Sequence, residues 1–181
     1  KEVWRQIESF AGYSFSKAHS ASYAVESFQS LYLKAHFPLE FMVAVINNFG
    51  GFYRTWVYVH EARRCGAVIH PPCVNKSTYK TTIYGNEIYL GFIHILSLGE
   101  KLAASIEEAR AAEGGFSDLN DFVTRMCPGL EELILLIRAG AFSFTGKRKA
   151  VLLWEAHMMV NGKKKEKIRP LFRQPVREFT L

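Results

Sequence analysis

The sequence predicts a mainly α chain: a helical first half with a small β-hairpin, followed by a tandem helix-hairpin-helix unit. Three observations carry that expectation. Apolar residues recur at helical spacing through most of the chain. Two β-branched and aromatic runs meet at Gly85-Asn86, a hairpin signal. The second half then repeats one plan, a helical turn or helix, a tight break and a further helix.

Taken in order, the opening KEVWRQIESFAGY reads as the middle of a helix, with no initiating Met and no signal pattern, so a fragment of a larger protein is expected. Ala21, Ala24, Val25, Phe28, Leu31, Tyr32 and Ala35 then form one apolar stripe, expected to face a core. Ser20 is the expected N-cap of that helix. Pro38 opens a second helix, PLEFMVAVINN, from proline's favoured first turn. Gly50-Gly51 breaks it, and a third helix from about Tyr53 to Cys65 stops at Gly66. VIHPPCV should be extended, because a proline disfavours helix at the residue before it. TYKTTIYGNEIYLGF supplies the hairpin.

From Gly91 the chain turns helical again. GFIHILSLGEKLAASIEEARAAEGG gives an apolar turn, a tight hairpin at Ser97-Leu98-Gly99, and a helix to about Ala112. A linker helix from Asp118 to Arg125 is expected to be capped by Ser117. LEELILLIRAGAFSFTGKRKAVLLWEA repeats the plan, with its break at Ala139-Gly140-Ala141 and a basic helix from about Lys147. KIRPLFRQPVREFTL has two prolines and little periodicity and reads as a linker.

Composition narrows the function classes. The 181 residues are 49% hydrophobic and 22% charged, as in ordinary globular chains. No apolar run reaches the roughly 18–20 residues of a membrane span, so no membrane partner is expected. Residues 1–137 hold 12 Lys and Arg against 14 Asp and Glu, and residues 138–181 hold 11 against 3. The whole positive excess therefore lies at one end, which suits either a polyanion or a solvated basic tail. Cys65, Cys73 and Cys127 lack paired zinc spacing, and three reduced thiols fit a cytoplasmic protein.

The hairpin LSLGEKLA is the first candidate site. A glycine lets backbone N–H groups approach a phosphate oxygen, where a β-carbon would obstruct them or block the φ angle. The helix that follows adds its dipole. Gly99 fills that role, with Leu96 and Leu98 expected to anchor the hairpin in the core and Lys101 free to meet a phosphate. In the second hairpin, Gly140 marks the break and Lys147, Arg148 and Lys149 supply charge. Such contacts hold a duplex backbone without reading bases. Read singly, a glycine between two helices is usually only a turn or a helix stop, and it is the second hairpin with its basic residues that points to DNA.

The second candidate is GYSFSKAHSASYA, where Lys17 and His19 stand at a helix start among Gly12, Tyr13, Phe15 and Tyr23. Cations beside aromatic rings at a helix N-terminus suit a nucleotide phosphate and its sugar or base. The plain alternative is a surface lysine and a hydrogen-bonding histidine. GKRKA is not a P-loop, since Arg148 stands where a magnesium-binding Ser or Thr is needed. Asp occurs only at 118 and 121, too few for a two-metal site.

FAGYSFSKAHSASYAVESFQSLYLKAHFPLEFMVAVIN resembles the fingers region of the alpha subunit of bacterial DNA polymerase III, the C-family replicative polymerase. Phe10, Ala11, Gly12, Tyr13, Phe15, Lys17, His19 and Ser20 match the family pattern, as do Leu33 to Pro38 and Glu40 to Met42. PPCVNKSTY and LGFIHILSLGEKLAASIEEAR resemble its fingers end and tandem helix-hairpin-helix region, and the likeness covers roughly residues 1–155. The resemblance implies a fingers segment over 1–90, a tandem helix-hairpin-helix DNA-binding unit over 91–160, and a basic linker toward a missing region over 161–181.

It further implies that Lys17 and His19 face the incoming deoxynucleoside triphosphate, with Tyr23 near its sugar. Leu98, Gly99, Lys101, Gly140, Lys147, Arg148 and Lys149 would then meet primer-template DNA. Catalytic aspartates and their Mg2+ would belong to an upstream palm, and other replicase subunits, a sliding clamp among them, would dock outside this chain. Ser14 and Ser97 depart from the glycines common in the family. The rival readings are a non-enzymatic helix-hairpin-helix DNA-binding module and a protein-interaction module with a basic tail.

Overall fold

A computed structural model describes the backbone of residues 1–14 and 17–164 and the side chains of 1–9 and 19–160. Packing separates two units, Lys1–Ile69 with Ile83–Ile88, and His70–Thr82 with Tyr89 onward.

The first unit holds α1 (Glu2–Ser14), α2 (Lys17–His36), α3 (Pro38–Asn47) and α4 (Thr55–Arg64). Proline at the first position of α3 gives up an N–H that has no intrahelical partner there. Met42 and Val43 of α3 pack with Ala62 of α4, Ala67 and Ile88 as a small core. Leu39, Phe41, Tyr58, Ile69 and Ile83 close around it.

Helix α2 departs from expectation in two ways. It begins at Lys17, so Ser20 lies inside the helix and cannot be its N-cap. Its apolar stripe is also not core, because residues 21–36 are exposed throughout, Phe28 at 71% and Leu31 at 66%. Amphipathic spacing shows that a face seeks a partner, and among the described residues none covers this one.

The strands β1 (Val68–His70), β2 (Thr82–Tyr84) and β3 (Glu87–Tyr89) form one sheet in the order β1-β3-β2. Gly85-Asn86 is the two-residue hairpin loop the sequence predicts, and the extended VIH adds a third strand beside it.

In the second unit a 3-10 turn (Phe92–His94) precedes α5 (Glu100–Glu113), α6 (Leu119–Met126) and α7 (Leu130–Ala139). A further 3-10 turn (Ser143–Thr145) leads to α8 (Lys149–Lys164). Phe122 is fully buried between two rings set edge to face, Phe116 at 4.9 Å and Phe142 at 5.1 Å. Such pairs add about 1 kcal/mol each beyond the apolar area they remove from water. Leu133, Leu136, Ile137, Leu152 and Ala156 complete this core.

Residues 70–82 belong with this second core, although a boundary at 90 is expected from the sequence. Val74 is fully buried in it. The Asn75 side chain both donates to the Phe116 carbonyl at 2.8 Å and accepts from the Phe116 N–H at 2.7 Å. Arg110 donates to the carbonyls of Val74 and Ser77 at 3.1 and 2.9 Å.

Asp118, not Ser117, caps α6, its carboxylate accepting from the Asp121 N–H at 2.8 Å. Ser117 instead donates its N–H to the Asp121 carboxylate at 2.9 Å. At the far end α8 continues to Lys164, into the stretch predicted as linker, and residues 165–181 lie outside the described residues. Among the described residues no helix is long and apolar enough to cross a membrane.

Candidate nucleic-acid interface

The first hairpin is built from Phe92 to Lys101. Phe92 is fully buried and starts the turn, and the Leu98 N–H donates to the Ile95 carbonyl at 3.2 Å. Leu98 is buried and anchors the loop as expected, but Leu96 is 87% exposed and anchors nothing. The two leucines part because Ser97 between them takes a left-handed backbone, φ +66°. That turns the chain so that only one of them reaches the core.

Gly99 is the N-cap of α5, exposed, with no side-chain cap. Its φ of −72° is open to any residue, and a β-carbon there would meet nothing within 4 Å. The fold itself therefore makes no demand for glycine at this position. Leu102 and Ala103 N–H groups donate back to the Gly99 carbonyl, at 3.2 and 3.4 Å. The N–H groups of Gly99, Glu100 and Lys101 come before that first bond and have no protein acceptor. Three unpaired donors coincide with the positive end of α5, and Lys101 in the same first turn carries an exposed, unpaired ammonium. An anion of phosphate geometry fits such a set of donors. Glu100 opposes it, since an exposed carboxylate in the first turn repels a phosphate.

The second hairpin is arranged differently from expectation. Gly140 is buried, with φ +92°, and its N–H donates to the Ile137 carbonyl at 3.1 Å. It ends α7 and turns the chain inward toward Ala141 and Phe142, so it cannot offer an amide to DNA. Gly146, exposed and left-handed, is the glycine beside the start of α8.

The three cations also separate by role. Lys147 pairs with Glu155 at 2.7 Å, and Lys149 donates to the Arg138 carbonyl at 2.7 Å. Arg148 is exposed and its guanidinium has no partner among the described residues. It also precedes α8, its carbonyl accepting from Val151 and Leu152 at 3.0 and 3.2 Å. A basic run in a sequence does not reveal which of its members are already used.

In the other candidate site, Lys17 opens α2 and His19 follows in its first turn. The Lys17 side chain lies outside the described residues. His19 and Tyr23 stand one turn apart on an exposed face, their rings edge to face at 4.4 Å.

The two aspartates serve α6. The Ser117 N–H and then the Arg125 guanidinium hold the Asp121 carboxyl below the usual carboxylate range. Arg125 pairs with Asp121 at 3.5 Å and packs over Phe116 at 4.3 Å. Among the described residues no three His, Cys, Asp or Glu side chains are grouped to hold a metal.

A helix-hairpin-helix family model matches residues 66–152. The DNA polymerase III alpha subunit of Thermus aquaticus is 35% identical over 154 residues, 83% of this chain and 13% of that protein. An error-prone DNA polymerase of Bdellovibrio bacteriovorus is 36% identical over 158 residues, 84% of this chain and 15% of its own length. The Aquifex aeolicus alpha subunit is 36% identical over 157 residues, 84% of this chain and 14% of that protein. The chain thus spans about a seventh of the relatives it matches. It belongs to the family of bacterial DNA polymerase III alpha subunits and error-prone DNA polymerases, and carries a helix-hairpin-helix motif over residues 66–152.

Proposed function

We propose that this segment grips duplex DNA through its phosphates while a DNA polymerase extends a primer. The observation that carries the reading is Gly99, a glycine the fold does not need, set beside three unpaired amides and Lys101. With no β-carbon, a phosphate oxygen can come within hydrogen-bonding distance of those N–H groups. Arg148 supplies a second contact beside the start of α8. Leu98 acts by holding the loop, and Lys147 and Lys149 by holding the second turn in shape. No base edge is read, so all sequences bind alike.

In the same reading Lys17, His19 and Tyr23 meet the incoming nucleoside triphosphate. Lys17 stabilises charge that develops on the phosphates during transfer, His19 adds a hydrogen-bonding ring, and Tyr23 lies beside the sugar. The divalent metal of the polymerase, Mg2+, finds no grouped carboxylates among the described residues, where Asp118 and Asp121 cap and brace α6. Metal and catalytic carboxylates belong to other parts of the polymerase, as do docking sites for further replicase subunits and a clamp. The working compartment is the cytoplasm, where bacterial DNA is copied.

Salt titration tests the duplex grip. The logarithm of duplex affinity should fall linearly with the logarithm of salt concentration, with a slope of about −0.9 for each phosphate held. Lys101→Ala should shallow that slope by about one unit on every duplex alike. For the nucleotide site, Lys17→Ala in an intact polymerase carrying this segment should raise the KM for nucleotide or lower kcat. Unchanged kinetics would remove that assignment.

A further inference from the structure

The loop between α3 and α4, with the first turns of α4, displays aromatic rings to solvent. Phe52 is 94% exposed, and Tyr53 and Trp56 are each about 60% exposed. The loop is tied back to α4 by the Tyr53 N–H, which donates to the Tyr58 hydroxyl at 3.2 Å. Gly51 makes room for that hydroxyl, which a β-carbon there would overlap. Phe52 and Tyr53 meet edge to face at 5.4 Å. On α4, Trp56 and His60 lie one turn apart with rings perpendicular at 5.6 Å, and Arg63 follows on the same exposed stripe. The guanidinium groups of Arg54 and Arg63 have no partner among the described residues.

We propose that Phe52, Tyr53, Trp56 and His60, flanked by Arg54 and Arg63, form a stacking platform for unpaired bases of a single DNA strand. The inference deepens the DNA-binding reading by adding a single-strand contact in the first unit to the duplex grip of the second. Stacking needs flat faces in water and cations spaced along them for the phosphates, and needs no base-specific donor. Both are present. Protein interfaces use the same aromatic residues and arginine, so charge makes the choice. Residues 48–64 hold three arginines against one carboxylate, Glu61, which already pairs with Lys34 at 3.6 Å and Arg64 at 3.5 Å. Unpaired arginines beside the rings favour a polyanion over an apolar partner surface.

The test uses the 181-residue chain and fluorescein-labelled oligo(dT) of about 20 nucleotides, in about 50 mM salt, with a blunt duplex of equal length as comparison. Affinities are read by anisotropy, and folding by thermal melting. Phe52→Ala with Trp56→Ala should weaken oligo(dT) binding about tenfold or more and leave duplex affinity and melting unchanged. Trp56→Phe, which keeps a stacking face, should retain most of the affinity. Unchanged oligo(dT) binding in the double variant overturns the proposal. Equal loss on single strand and duplex also overturns it, because the patch would then be general charge or structure. Should wild-type chain run as a dimer that the double variant abolishes with oligo(dT) binding intact, the face is a copy interface and the proposal fails. Absence of duplex binding by the wild-type chain, with the platform's effect on oligo(dT) preserved, would refute the hairpin grip and support this inference independently.

Discussion

Lys149 donates its ammonium to the main-chain carbonyl of Arg138 at 2.7 Å, so the cation that opens α8 closes α7. Arg148, its neighbour, is exposed with no partner for its guanidinium. Adjacent basic residues thus hold opposite jobs, one bracing the turn and one facing outward. Lys149→Ala should lower stability by about 1 kcal/mol, the worth of a charged hydrogen bond at a helix C-terminus. Arg148→Ala should leave the melting temperature unchanged and weaken duplex binding at every sequence. Thermal melts and anisotropy on both variants check the division, and matching effects would erase it.

The left-handed Ser97 gives a second expectation. A non-glycine residue there carries about 1 kcal/mol of strain, part of which glycine regains and part of which it loses to unfolded-chain entropy. Ser97→Gly should therefore stabilise the chain by about 0.5 kcal/mol in chemical denaturation. A lower midpoint would mean the serine hydroxyl contributes more than its backbone costs.

Gly91 provides the opposite case. Its φ is ordinary, −75°, yet a β-carbon would come within 2.5 Å of the Thr81 nitrogen and the Tyr79 carbonyl oxygen, both main chain. Neither can rotate away as a side chain would. Gly91→Ala should cost about 1–3 kcal/mol, the range of an overpacked interior. A loss under 1 kcal/mol would show that the 79–81 segment shifts freely.

His94 makes the second unit sensitive to acid. Its Nε2 lies 2.9 Å from the Thr81 hydroxyl, and burial holds its pKa below the ordinary histidine value. The unfolded chain thus takes up a proton near pH 6.5 that the folded chain resists. The contribution is full above that pH and is lost as pH falls through the lowered folded value. Stability measured from pH 7.5 to 5.5 should drop, and His94→Gln should flatten the slope over the range in which histidine titrates. An identical slope in the variant would assign the effect elsewhere.

What could be read from the sequence was local. Pro38 opening α3, the two-residue loop at Gly85-Asn86, and Gly99 before α5 all depend on neighbours a few residues away. What could not be read depends on distant partners. The stripe on α2 announces an apolar face, but the residues that would cover it are not among those described. Leu96 and Leu98 look equivalent until Ser97 reverses the chain between them. Gly140 and Gly146 both flank the second turn, and only packing shows that the first is interior. Lys147 and Lys149 read as free cations because Glu155 and the Arg138 carbonyl lie 8 and 11 residues away.

Gly99→Val separates binding from folding more directly than any other change. The backbone there, φ −72° and ψ 144°, accepts a β-branched residue, and its side chain would stand in open space. The account predicts an unchanged melting temperature together with a loss of about tenfold in duplex affinity, equal across unrelated sequences, as hydrogen bonds to a charged phosphate are removed. Unchanged affinity in a variant that melts like wild type would contradict it.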